Sequence, residues 1–142
     1  LLPVFLLTGC GSSKELDALR SYREEMDSYC TSISSCQAKM DALDSSSDDA
    51  GSQLLALIDE MAEAGSRAAE LAPPEGYEEA GEMCRKASDY LQEAKGEYHA
   101  AFEAEPFDTD AFQKGLSSYQ SAGRCLALMA EDLRKGAGEE NP

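Results

Sequence analysis

Five cysteines and a single histidine are the residues of this chain best suited to redox or metal chemistry. The cysteines are Cys10, Cys30, Cys36, Cys84 and Cys125. No two of them form a Cys-x-x-Cys pair, and His99 has no cysteine at the spacing of a zinc site. The spacing therefore favours neither a thiol-redox centre nor a zinc site, and we expect no metal or other cofactor.

Sequence motifs of the common enzyme classes are missing as well. The chain contains no phosphate-binding glycine loop, no HExxH, no GxSxG and no dinucleotide-binding fingerprint. A di-iron helical bundle needs Glu-x-x-His pairs, but Gly96 stands where the glutamate before His99 would have to be. We therefore predict a protein that is not an enzyme and has no catalytic residues.

The first cysteine follows an uncharged apolar run, residues 1–7, which is typical of the end of a secretory signal. The stretch Leu7-Thr8-Gly9-Cys10 resembles the lipobox of bacterial lipoproteins. This resemblance implies cleavage before Cys10 and attachment of a diacylglycerol to its thiol. Residues 1–9 would then be the remnant of a signal peptide whose beginning precedes Leu1. The apolar run is shorter than the about 20 residues that a membrane-spanning helix needs.

The same resemblance implies a location in the cell envelope. The lipid would hold the protein at the outer face of the cytoplasmic membrane or, facing the periplasm, at the outer membrane. By general pattern, residues 71–133 also resemble small helical lipoprotein domains of uncharacterised type, which implies no site residues.

A formal net charge of −16 restricts the partners of the exported part. Residues 1–9 carry no charge, so the whole excess lies beyond them. Nucleic-acid recognition requires basic patches, and anionic lipid headgroups repel an acidic surface. We therefore expect no nucleic-acid partner and contact with the membrane through the lipid alone, while loosely bound cations or a basic partner would suit this charge.

Apolar residues at spacings of three and four predict four helices, over about 13–44, 51–72, 75–104 and 109–135. Residues 10–12 would link the first helix to the lipid, and residues 137–142 would form a flexible tail. Ser12 and Glu15 have the pattern of a capping box, and Asp108 is the predicted N-cap of the fourth helix. The expected domain, residues 13–136, is an all-α up-down-up-down four-helix bundle.

The third helix has the most regular apolar seam. Its predicted core positions are Tyr77, Ala80, Cys84, Ala87, Leu91, Ala94, Tyr98 and Ala101. In the first helix the seam is predicted to begin at Leu16.

With Cys10 lipidated, four cysteines remain, and an even number in an exported chain predicts disulfides. In a continuous helix Cys30 and Cys36 are about 240° and about 9 Å apart, too far to pair with each other. Pairing the cysteines that lie at similar heights along the bundle axis favours Cys30–Cys84 with Cys36–Cys125. The alternative is Cys84–Cys125 with Cys30–Cys36, and Cys30–Cys125 with Cys36–Cys84 is least favoured. Each bond would add roughly 2–4 kcal/mol.

These features predict a lipid-anchored extracytoplasmic lipoprotein that binds or scaffolds another component of the envelope, such as an envelope protein. The alternative is a ligand- or cation-binding lipoprotein that serves a membrane transporter. Such receptors usually have two lobes, whereas this chain has room for one.

Overall fold

A computed structural model describes the backbone of residues 2–136 and the side chains of residues 13–136. Residues 2–136 form four helices: α1 (Leu2–Asp41), α2 (Ala50–Ala69), α3 (Glu78–Glu103) and α4 (Thr109–Gly136). No strand occurs within residues 2–136. The protein is therefore all-α and packs helix against helix, as predicted. The predicted tail at 137–142 lies outside the described residues.

The first helix begins far earlier than its predicted start at residue 13. Because α1 runs unbroken from Leu2, Ser12 lies inside a helix and residues 10–12 are not an extended linker. Pro3 is tolerated because it falls in the first turn, where its missing N–H costs no hydrogen bond. The capping-box pattern was therefore misleading, since no break in the preceding residues leaves a helix end to cap.

Side chains at the start of the described part of α1 are exposed to solvent. All six residues from Ser13 to Ala18 are exposed, and Leu16, predicted as a core position, keeps 60% of its surface in water. Packing on the core begins at the partly buried Leu19 and continues with the buried Tyr22 and Met26. The early part of α1 thus projects beyond the bundle.

The turns explain the other differences from the predicted helix bounds. After α1, the Asp44 carboxylate accepts hydrogen bonds from the backbone N–H and the hydroxyl of Ser46, at 3.0 and 2.6 Å, which closes a turn. Before α3, Gly76 has a φ of +95°, which the right-handed helix does not allow. The third helix therefore begins at Glu78 and not at the predicted residue 75. The predicted N-cap Asp108 is confirmed, because its Oδ1 accepts from the Ala111 N–H at 3.0 Å.

The core lies along α3. Every predicted seam residue of the third helix is at most 3% exposed, which confirms the seam in full. The largest side chains below 2% exposure come from all four helices: Met26, Ile58, Met61, Leu91, Met129 and Cys84. Many of the other buried positions are alanines, whose small side chains let neighbouring helices approach each other closely.

Contacts between helices define two ends of this bundle. At one end Tyr22 of α1 packs against Tyr77, the residue before α3, with ring centroids 5.7 Å apart. A Cβ placed on Gly136, the last residue of α4, would lie 2.5 Å from the Tyr77 ring. At the other end, Tyr98 of α3 stacks on Phe112 of α4 at 5.3 Å. We call this second end, which holds the turns 42–49 and 104–108, the acidic end.

Two tyrosine hydroxyls in the core have no hydrogen-bond partner among the described residues, those of Tyr22 and Tyr29. Burial, followed by the charges of neighbouring thiols, raises the pKa of both phenols, that of Tyr22 to about 12. A buried polar group without a partner keeps its desolvation cost and gains nothing in return.

Replacing Tyr29 by phenylalanine should therefore stabilise the fold. We expect Tyr29→Phe to raise the free energy of unfolding by about 1 kcal/mol, since it removes the unpaired hydroxyl and keeps the ring. Urea denaturation measures this change. Tyr77→Phe is the matched control, because the Tyr77 hydroxyl accepts a hydrogen bond from Arg23 Nη1 at 3.3 Å and its removal should bring no gain. A loss of stability in Tyr29→Phe would contradict the expectation.

Candidate functional site

The predicted lipidation site falls in the helical start of the chain. The backbone of Cys10 belongs to α1, and its side chain lies outside the described residues. Within the part of the chain that the structure describes, no helix combines the length and the apolar character needed to cross a membrane.

The other four predicted site residues do not form disulfides. Cys30, Cys36, Cys84 and Cys125 are all free thiols. None of the three connectivities considered, including the favoured Cys30–Cys84 with Cys36–Cys125, is present. The predicted disulfide framework is therefore corrected to four separate thiols.

The orientation of Cys36 explains one missing bond. We predicted that this side chain faces the fourth helix, but its Sγ donates a hydrogen bond to Glu60 Oε2 of α2 at 2.7 Å. Burial, and then the bond to Glu60, raises the pKa of Cys36 to about 11. The height of a cysteine along a helix can be read from spacing, but its direction around the helix depends on where the neighbours pack.

Cys30 and Cys84 lie near each other without bonding. Burial raises the pKa of Cys84 to about 11, and the charge of a Cys30 thiolate adds to the rise. Burial, followed by the charge of Asp27, raises the pKa of Cys30 in the same direction. Because the thiolate is the reactive form, these thiols are poor nucleophiles at neutral pH. Among the described residues no group of three or more acidic, cysteine or histidine side chains could hold a metal ion.

His99, which the sequence assigned to no metal site, joins two helices. Its Nε2 lies 2.8 Å from Asp59 Oδ1 of α2, and its Nδ1 lies 3.3 Å from Glu103 Oε2 one turn along α3. The hydrogen bond to Asp59 raises the pKa of the imidazole above its usual value, and Glu103 adds to the rise. The spacing of His99 and Glu103 was visible in the sequence, whereas Asp59 could be found only from the packing of α2 on α3.

The His99 bridge should make stability depend on pH. Because its pKa is raised in the folded state, the bridge stabilises fully below the unfolded value of about 6.5 and loses this effect as pH rises through the folded value. We expect wild type to be more stable than His99→Gln in mild acid and the difference to shrink as the pH rises through the raised pKa of the folded state. Thermal unfolding of both proteins across pH measures it, with Asp59→Asn expected to lose the same stabilisation. A difference that is independent of pH would contradict this role.

Three phenylalanines gather at the acidic end, beside the His99 bridge. Phe102 lies in the last turn of α3, Phe107 in the connection that follows and Phe112 in the first turn of α4. Their ring centroids are 5.0 Å apart for Phe102–Phe107, 5.7 Å for Phe107–Phe112 and 6.1 Å for Phe102–Phe112. Two of these rings are largely exposed, Phe102 at 36% and Phe107 at 45%. Sequence reasoning placed Phe107 in a turn but did not predict this cluster.

Acidic residues accompany these rings in both segments that form this end. Residues 96–113 contain five acidic residues and no lysine or arginine, and residues 40–58 contain four acidic residues and again no lysine or arginine. The two segments meet at this end, because a Cβ on Gly51 would lie 2.7 Å from the Phe102 ring. The arrangement can bind by apolar contact and by charge, and it offers no activated nucleophile.

Comparison with known proteins adds no relative. The chain matches no family model, and neither a curated protein nor a solved structure is significantly similar to it.

Proposed function

We propose that this protein is a lipid-anchored, non-enzymatic lipoprotein of the cell envelope that binds or scaffolds another envelope component. The observation that carries the proposal is the projecting start of α1. Its residues 13–18 are exposed on every side of the helix, directly after the lipobox-like stretch that ends at Cys10. A helix that is exposed on every side at this point suits a stalk between a lipid and a folded domain.

The proposed stalk has a definite length. An α-helix rises about 1.5 Å per residue, so the nine steps from Cys10 to Leu19, where the described part of α1 first packs on the core, span about 14 Å. That distance exceeds the Debye length of about 8 Å at physiological salt. The acidic domain would therefore be held clear of anionic headgroups while the lipid keeps it at the membrane.

The bundle itself is proposed to have up-down-up-down topology. Consecutive helices pack on each other, and the turns between them are short. In this arrangement the acidic end lies away from the stalk and points into the space where a partner could be met.

The mass of the intact protein extracted from its native membrane tests the anchor. We expect a chain that begins at Cys10 and whose mass is increased by a diacylglyceryl group. Lasting attachment needs two or three acyl chains, and this group supplies two of them. Cys10→Ser should move the protein to the soluble fraction, whereas the control Cys125→Ser should leave it on the membrane. An unmodified chain or an unchanged distribution of Cys10→Ser would overturn the proposal.

The same mass spectrum also shows whether the other four cysteines are thiols or disulfides. The free thiols of the structure predict no change in mass on reduction. An increase in mass from hydrogens added on reduction would instead support the disulfides predicted from the cysteine count.

A further inference from the structure

The feature that the proposed function does not yet use is the exposed aromatic pair at the acidic end. Phe102 and Phe107 meet edge to face, with centroids 5.0 Å apart, and both keep more than a third of their surface in water. Turns usually carry glycine, proline or small polar residues, whereas this turn presents a phenylalanine that is 45% exposed. Neighbouring exposed aromatic rings are typical of interaction surfaces.

The pair is held in place before any partner arrives. Phe112 contacts both rings and is itself stacked on the buried Tyr98. The turn between α3 and α4 is closed by a hydrogen bond from the Asp108 N–H to the Ala101 carbonyl at 3.1 Å, and the Asp108 side chain caps α4. A surface that is already ordered loses little conformational entropy on binding.

The charges around the pair select the partner. Glu105, Asp108 and Asp110 are exposed next to the rings, and the nearest lysines along the chain are Lys95 and Lys114. Two such ends would repel each other, so a second copy of this chain is disfavoured. Anionic lipid and nucleic acid are repelled in the same way. A protein surface with basic side chains around an apolar cleft complements both the rings and the carboxylates.

We propose that the acidic end is a docking surface that inserts Phe107, supported by Phe102, into an apolar cleft rimmed by lysine or arginine on an envelope protein. This inference rests on the proposed function and names the chemistry of the partner. The phenyl rings supply the apolar contact area, and the flanking carboxylates set the orientation and speed the encounter.

Site-specific photo-cross-linking of the full-length chain in cells tests the docking surface. A benzophenone amino acid replaces Phe107 in one variant and Leu128 in a control, since Leu128 is a similarly exposed apolar residue, 51% accessible, on α4. We expect an adduct with one protein from position 107 and none from position 128. Sequencing of the adduct should place the attachment in an apolar segment flanked by basic residues.

Charge reversal supplies a second readout on the same adduct. Glu105→Lys with Asp110→Lys should lower its yield by about tenfold, because attraction to the basic rim becomes repulsion. Glu63→Lys with Glu82→Lys is the matched double reversal, because both glutamates are exposed and each pairs with a basic residue one turn along its own helix, and it should leave the yield unchanged. The melting temperature of each variant verifies that the fold is intact.

Several outcomes would overturn the docking surface. They are an adduct with a second copy of this chain, an adduct with lipid alone, equal yields from positions 107 and 128, a yield insensitive to charge reversal, or no adduct from an anchored and folded protein. The anchor is read separately from the intact mass. A lipidated protein without a specific adduct at position 107 refutes the docking surface and leaves the anchor standing, whereas an unlipidated protein refutes the anchor.

Discussion

Leu91→Ala should lower the free energy of unfolding by about 2–5 kcal/mol. Leu91 is fully buried near the middle of α3, and its Cδ1 lies 3.2 Å from the position that a Cβ on Gly65 of α2 would occupy. Truncation removes the apolar contact and leaves a cavity that the helices around it cannot fill without moving. Natural domains are stable by only about 5–15 kcal/mol, so this one change would remove a large part of the total.

Urea denaturation of purified protein measures this loss, and Leu128→Ala is its control. Leu128 is half exposed on α4, so the same truncation should change stability by less than about 0.5 kcal/mol. Equal losses for the two variants would mean that the core is not centred on α3 as the structure describes.

Gly115→Ala should destabilise the protein by about 1–3 kcal/mol, although alanine is the better helix former. A Cβ at this position would lie 2.7 Å from Cδ1 and 2.9 Å from Cε1 of Tyr98. The Tyr98 ring is 3% exposed and stacked on Phe112, so it has little room to move aside. Helices α3 and α4 would have to separate to accept a single methyl group.

Gly123→Ala on the same helix is the matched control. No atom lies within 4 Å of a Cβ added there, so the substitution should stabilise by about 0.5–1 kcal/mol through helix propensity alone. Thermal unfolding of both variants gives the comparison. If Gly115→Ala were the more stable of the two, the close approach of α3 and α4 would be refuted.

The two glycines show what a sequence can and cannot specify. Both stand inside a predicted helix, and the apolar spacing puts Gly115 but not Gly123 in register with the seam of the fourth helix, without saying which side chain packs there. The difference arises from Tyr98, on another helix, whose ring covers Gly115 and leaves Gly123 free. Helix propensity is a local property, whereas the space at a glycine is set by whatever packs against it.

The partners of the cysteines and of His99 likewise depend on what packs against them. Counting the cysteines of an exported chain predicted disulfides, but the structure turns Cys36 towards Glu60 and leaves all four thiols free. His99 lay beside the predicted seam, and only the packing of α2 on α3 brought Asp59 to within 2.8 Å of it. Side-chain partners separated by 24 or 40 residues depend on helix rotation and register, which apolar spacing specifies only coarsely.

The sequence by itself determined the all-α class, the number of helices, the complete core seam of α3 and the capping role of Asp108, because these depend on the 3.6-residue period and on side chains that reach only their own backbone. The tertiary structure decided where α1 leaves the bundle, which glycines admit a neighbour, where the thiols face and how two acidic segments and three phenylalanines meet at one end. Those features arise from contacts between residues far apart in the chain, so their geometry exists only once the helices have packed.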